Sequence, residues 1–271
     1  MEHKPAFDVT EMPYESNPFK LLSLATKALR VMAAEFFKLA GLTMLILFVT
    51  SIPAVIGSSS ISSTKIASPS AIGLIVLSVF LFTIPATYLS FAFVKMALAA
   101  SRGLSLPWRA TMPKTYQDAW NLFWTLGISG IFILVGFLVF ILPGFLLSLW
   151  YSQVQYVVVD EGLVGMPALK RSKQLVHGRM MDAVGLSGMS QIPGLFKNTQ
   201  AIGNVLSLVY SVISLPIGAI RYIQLTQLSP EDRVKIPTNK WNYALILVLV
   251  LTLAAIINAL ILLHAYYVLG K

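Results

Sequence analysis

Long uncharged apolar runs alternate along the chain with short polar stretches that are mostly basic. Runs at residues 39–57, 71–94, 120–142, 145–159, 201–220 and 241–269 predict about six membrane-spanning helices. A charge at mid-bilayer costs roughly 2.5–3.5 kcal/mol, and residues 39–64 carry none. Residues 119–159 are also free of charge, for longer than one crossing of about 20 residues needs. Pro143-Gly144 divides them as a hairpin turn, which leaves a short fourth span that ends at Asp160-Glu161. A serine-rich connector at 58–70 joins the first two spans, and Pro85 is expected to kink the second.

Two stretches read as basic amphipathic helices lying in the headgroup layer. In residues 19–38, Leu21, Leu22, Ala25, Ala28, Leu29, Met32 and Phe36 share one helical face, opposite Lys20, Lys27, Arg30 and Lys38. The alternative for this stretch is a helix that caps the bundle. In residues 167–178, Pro167 suits a first helical position and Gly178 a C-cap. Ala168, Leu169, Ser172, Leu175 and Val176 form its narrow apolar arc, and Lys170, Arg171, Lys173 and His177 fill the rest. Ser172 sits in mid-arc, where its hydroxyl needs a partner such as a carbonyl one turn back. The candidate lipid-headgroup contacts are therefore Lys170, Arg171, Lys173, His177, Lys20, Lys27 and Arg30.

The polar segments set the expected orientation. Residues 95–117 hold Lys95, Arg102, Arg109 and Lys114 with one sign of charge, so the positive-inside rule makes them cytoplasmic, and with them the N-terminus. Residues 1–18 read as a flexible tail, without the short apolar core of a cleaved signal. Residues 180–199 are broken by glycines and Pro193, and read as a loop or a partly inserted segment. Six crossings put the moderately basic loop 221–240 outside, against the rule, and a dip through 180–199 would move it inside.

Composition sharpens the class. Only 11% of the residues are charged and 56% are hydrophobic, against about 25% charged in soluble domains. The net charge of +9 comes from basic residues flanking apolar runs, so anionic phospholipid is the expected partner rather than nucleic acid. A membrane-protein partner or a homo-oligomer remains open. Without cysteine the chain can form no disulfide, thiolate metal site or cysteine nucleophile. The order of basic segment, span, turn and span recurs near Phe19, Gly103 and Gly162, and two joints match in residues. Ile84-Pro85 resembles Leu142-Pro143, and Gly103-Leu104 with Pro107 resembles Gly162-Leu163 with Pro167.

Chemistry-bearing patterns are sparse. No expected span holds an interior ionisable group of the kind that ion relays use. His3, His177 and His264 lack metal-ligand spacing, and no phosphate-binding loop or hydrolase elbow occurs. No catalytic residue, metal or cofactor is therefore expected. Two polar stripes stand out: Asn204, Ser207, Ser211 and Ser214 on one helix face, and Ser148, Ser152 and Gln155 on another. Each is either a track for a headgroup or solute or helix-packing glue, where one hydrogen bond contributes about 0.6 kcal/mol.

Three motifs carry a family resemblance: Pro143-Gly144, then Tyr156-Val157-Val158-Val159-Asp160-Glu161-Gly162, then Ala168-Leu169-Lys170-Arg171-Ser172 closed by Gly178. Residues 120–180 thereby resemble a family of prokaryotic integral membrane proteins related to the membrane domain attached to some glycerophosphoryl diester phosphodiesterases. The resemblance implies a membrane module without the catalytic barrel, and a multi-pass protein of a prokaryotic plasma membrane. The fold expected is all-α, a polytopic transmembrane helical bundle with basic interfacial helices, residues 19–271 forming one membrane domain. The function expected is non-enzymatic, in membrane homeostasis or scaffolding. The alternative is a carrier or lipid-handling protein using the Asn204/Ser207/Ser211/Ser214 track.

Overall fold

A computed structural model describes residues 7–15, 17–64, 69–180, 182–184 and 200–235. Every element among them is helical: α1 (Pro18–Thr64), α2 (Pro69–Ser101), α3 (Trp108–Thr111), α4 (Tyr116–Val139), α5 (Ile141–Trp150), α6 (Val154–Glu161), α7 (Met166–Val176), α8 (Gln200–Gln227) and α9 (Pro230–Lys235). Three helical stretches are long and apolar enough to cross a membrane: Phe19–Pro53, Ile72–Ser101 and Tyr116–Val139. The sixth expected span, 241–269, lies outside the described residues, as do His3, His264 and most of 180–199.

The chain has two parts, a packed base and apolar pillars that rise from it. One core cluster holds the N-terminal half of α1 (Leu21, Ala25, Ala28, Met32) and the C-terminal half of α2 (Ala92, Met96, Ala100). Leu122 of α4, Val154 and Val157 of α6, Leu169 and Leu175 of α7, and Ile220 and Ile223 of α8 complete it. Beyond the base, the α1–α2 pair and the α4–α5 hairpin leave their large apolar side chains uncovered. Phe48 is 71% exposed and Leu138 78%. A belt of this size on a folded chain marks a surface made for something other than water.

Several expected elements change shape. Residues 19–38 and the first span form one unbroken helix, because nothing between Lys38 and Gly41 stops it. Of the leucine face assigned to the headgroup layer, Leu21, Ala25, Ala28, Met32 and Phe36 are buried against protein, which fits the capping alternative, while Leu22 is exposed. Residues 58–64 of the expected serine-rich connector continue α1, and α2 passes through Pro85 without a break. Pro85 is thus interior to a helix whereas Pro143 is in the first turn of one, so the repeat does not extend to that joint.

The hairpin turn sits at Phe140, in extended backbone between α4 and α5, rather than at Pro143-Gly144. Pro143 falls in the first turn of α5, where its missing N–H leaves no gap. Gly144 serves packing: a Cβ there would overlap the ring of Phe137, and one on Gly136 would lie 2.9 Å from the Gly144 Cα. The fourth span is broken into α5 and α6 by a turn at 151–153. The fifth continues to Gln227, so residues 221–227 of the expected loop are helical, with Tyr222 and Leu225 in the core. The expected tail is ordered over 7–15, where Phe7 and Val9 join the same core and Nε2 of Gln227 donates to the Thr10 carbonyl at 2.6 Å.

Candidate functional site: the polar joints of the base

The break between α5 and α6 frees backbone groups that α7 reclaims. Ser172 donates its hydroxyl to the Trp150 carbonyl at 2.7 Å and accepts from the Gln153 N–H at 3.3 Å. The buried serine in the apolar arc of α7 thus finds its partner across the fold rather than one turn back. Gly165, which precedes α7, donates its N–H to Thr125 of α4 at 2.9 Å. Gly162 ends α6 at φ 67°, a left-handed conformation that costs a glycine little. Gly103 does the same after α2 at φ 72°, so the Gly-Leu echo of the sequence is an echo of helix ends.

Asp160 and Glu161 anchor that exit. Asp160 accepts both oxygens' worth of contact from Nη2 of Arg102 at 2.8 Å, which joins the end of α6 to the end of α2. Glu161 accepts from Nε of Arg171 at 3.0 and 3.1 Å and from the Tyr222 hydroxyl at 3.0 Å, which draws α7 and α8 onto α6. Burial, reinforced by Asp160 and Glu161, pushes the Tyr222 phenol far above its ordinary range, so it stays a donor. Arg233 of α9 donates to the carbonyls of Gln174 and Leu225 at 2.8 and 2.9 Å. It thereby caps the ends of α7 and α8 together.

The expected headgroup residues divide. Arg171 is held by Glu161, and Lys20 lies 3.3 Å from Glu15. Lys173 is exposed with its ammonium 4.0 Å from the Trp150 ring centre. Lys170, His177, Lys27 and Arg30 are exposed. A hollow of about 200 Å³ between α2, α4 and α6 is lined by Lys95 and Lys114 together with Asp118 and Asn121. Tyr88, Tyr116 and Trp120 stack side by side near the same end of α4. Ser148 of α5 and Ser152 of the following turn donate to the carbonyls of Phe145 and Leu149 at 2.7 and 2.8 Å, and Gln155 of α6 is half-buried. Of the other stripe, Ser214 is half-buried, and the side chains of Asn204, Ser207 and Ser211 lie outside the described residues.

No protein-family model, curated protein or solved structure matches this chain.

The most buried charges of the base were not legible in the sequence as a site. Asp182 is 0% exposed, Arg179 1% and Arg221 2%. Tyr14, from the ordered N-terminal segment, donates its hydroxyl to Oδ2 of Asp182 at 2.5 Å. Nη2 of Arg221 lies 2.6 Å from the same oxygen, out of line for a hydrogen bond, and Nη1 of Arg179 lies 3.6 Å from it. Both guanidiniums sit against the Tyr14 ring, at 4.3 and 5.0 Å from its centre. Burial pushes the Tyr14 phenol far above its ordinary range, so it is neutral here. The only sequence signals were the Arg179–Asp182 spacing on one helical face and a lone arginine directly after an apolar run.

Proposed function

We propose that this chain is a non-enzymatic, multi-pass protein of a prokaryotic plasma membrane, whose base rests on the anionic cytoplasmic leaflet and serves scaffolding or membrane homeostasis. The observation that carries the reading is the step in surface chemistry along α1, α2 and α4. Lys20, Lys27, Arg30 and Lys38 stop where the uncovered apolar belt of α1 begins. Phe36 of α1 meets Phe93 of α2 at 5.3 Å, so Lys38 and Lys95 lie at about the same level. Tyr88, Tyr116 and Trp120 stand at that step, where amphipathic rings gather in membranes. About six crossings, an N-terminus on the cytoplasmic side and kinship with the phosphodiesterase-linked membrane domain belong to the same proposal.

In this reading the exposed cations contact lipid phosphates, each contributing about 1 kcal/mol near an anionic surface. Lys170 and Lys173 are the sharpest test, because they project from the polar side of α7 while its apolar side is locked in the core. The double variant Lys170→Gln, Lys173→Gln is expected to fold normally. In bilayers containing phosphatidylglycerol its residues 166–178 should exchange amide hydrogens faster than those of the unaltered chain. In phosphatidylcholine bilayers the two should be alike. Equal protection in both bilayers would remove α7 from the membrane surface.

A further inference from the structure

Among the described residues, the base encloses more positive charge than its carboxylates balance. Arg179 and Arg221 share one carboxylate, Asp182, and all three are buried. Three nitrogens of Arg179 and two of Arg221 lack a hydrogen-bond acceptor among the described residues. Oδ1 of Asp182 lacks a donor. Gln224, one turn beyond Arg221 on the same face of α8, has both amide atoms buried and unpartnered.

Among the described residues the other carboxylates are already engaged. Asp160 and Glu161 hold Arg102 and Arg171, Glu15 faces Lys20, and Glu35 faces Lys38. Asp118 completes the capping box of α4, Asp8 caps Thr10, and Asp232 is bonded to Ser229. Glu11 and Glu231 also have interactions of their own. The segments outside the described residues contain one acidic side chain, Glu2. A buried cation without a partner is strongly destabilising, so a charge from outside the chain is the economical solution.

We propose that Arg179 and Arg221 hold a phosphate-class oxyanion bearing a hydroxyl, with that hydroxyl donating to Oδ1 of Asp182. The guanidinium centres lie 4.3 and 5.0 Å from the Tyr14 ring centre, and their buried N–H groups lack an acceptor among the described residues. Planar N–H edges match the oxygens of a phosphate. Chloride and carboxylate accept from arginine equally well but offer nothing to Oδ1. Hydrogen phosphate and a phosphomonoester headgroup do both. The site is distinct from the exposed cations on α7, and its test does not depend on the leaflet contact proposed above.

The experiment is native mass spectrometry of the full chain in mild detergent, as purified and after titration with inorganic phosphate or with phosphatidic acid. Melting temperature is followed in parallel, with phosphatidylcholine as control. The unaltered chain is expected to carry one tightly held phosphate-bearing adduct, or to gain one together with a raised melting temperature. A bare phosphate increment identifies the free ion as the source. A phosphatidic acid increment that inorganic phosphate does not displace identifies the headgroup. Arg179→Gln and Arg221→Gln should each lose the adduct and the thermal response, and Arg179→Lys should keep a weaker form of both. A chain of bare mass, with a melting temperature indifferent to either source, overturns the proposal without reference to any variant. An adduct that survives Arg179→Gln and Arg221→Gln overturns it as well.

Discussion

Single residues in the base do work that their local sequence disguises. Ser172 lies in a run of helix formers, Ala168 to Val176, and by periodicity alone it is a flaw in an apolar stripe. In the fold it supplies an acceptor and a donor to the two backbone groups that the α5–α6 break leaves open, at Gln153 and Trp150. Alanine would fill most of the same volume and pair neither. Leaving a buried polar group unpaired costs about 1–3 kcal/mol. Ser172→Ala should therefore lower the melting temperature of the detergent-solubilised protein clearly, with helix content unchanged. Threonine at the same position should recover part of the loss, since it keeps the hydroxyl. If alanine and threonine both melt with the unaltered chain, Ser172 does not hold the break. That the hydroxyl needed a partner was readable from its place in the apolar arc. Which partner was not, because the Trp150 carbonyl is 22 residues away and becomes available only when the fourth span breaks.

Uncharged apolar runs located the three helices long enough to cross a membrane but not their ends, and the reason differs from one to the next. The apolar runs at 71–94 and 120–142 correspond to α2 and α4, since an uncharged stretch of that length has few other forms. The boundary at Lys38 failed as a break because a change in surface polarity does not interrupt backbone hydrogen bonding, and α1 runs through it. Its counterpart at Ile220 failed similarly, because Arg221 looks like the start of a solvated loop. Inside α8 the same arginine is buried, beside Asp182 and against Tyr14, which come from sequence positions far apart. The half of α8 before Pro216 carries the stripe of Asn204, Ser207, Ser211 and Ser214. Small polar residues at three- and four-residue spacing in an apolar helix favour packing over transport. The chain has no native cysteine, so Ser207→Cys and Ser214→Cys can be read without background. Both are expected to resist a water-soluble thiol reagent that modifies Lys27→Cys on the exposed face of α1. Rapid modification of both would favour the solute-track alternative.

At the scale of the whole molecule, the pillars set the decisive question, which is what surrounds them. From Leu39 to Thr64, α1 is 26 residues long, or about 39 Å at 1.5 Å per residue, and a hydrocarbon core is about 30 Å thick. Phe48 stands near the middle of that uncharged stretch and is among the most exposed side chains of the molecule. Water and lipid assign opposite signs to a charge placed there. On the surface of an aqueous globule, exchanging an exposed phenylalanine for aspartate is near neutral for stability and favours solubility. In the centre of a bilayer the carboxylate costs roughly 2.5–3.5 kcal/mol. Aspartate is also the better probe than lysine, whose long stem can carry its charge toward the interface. Phe48→Asp is therefore expected to reduce accumulation in the membrane fraction severalfold and to lower the melting temperature of whatever inserts. Asp at position 27, which the same helix exposes below the charge step, should leave insertion intact. A Phe48→Asp chain that accumulates and melts like the unaltered one would mean that acyl chains do not solvate the pillars. The scaffold reading would fall with that result, while the buried arginine pair and its missing countercharge would still require an answer.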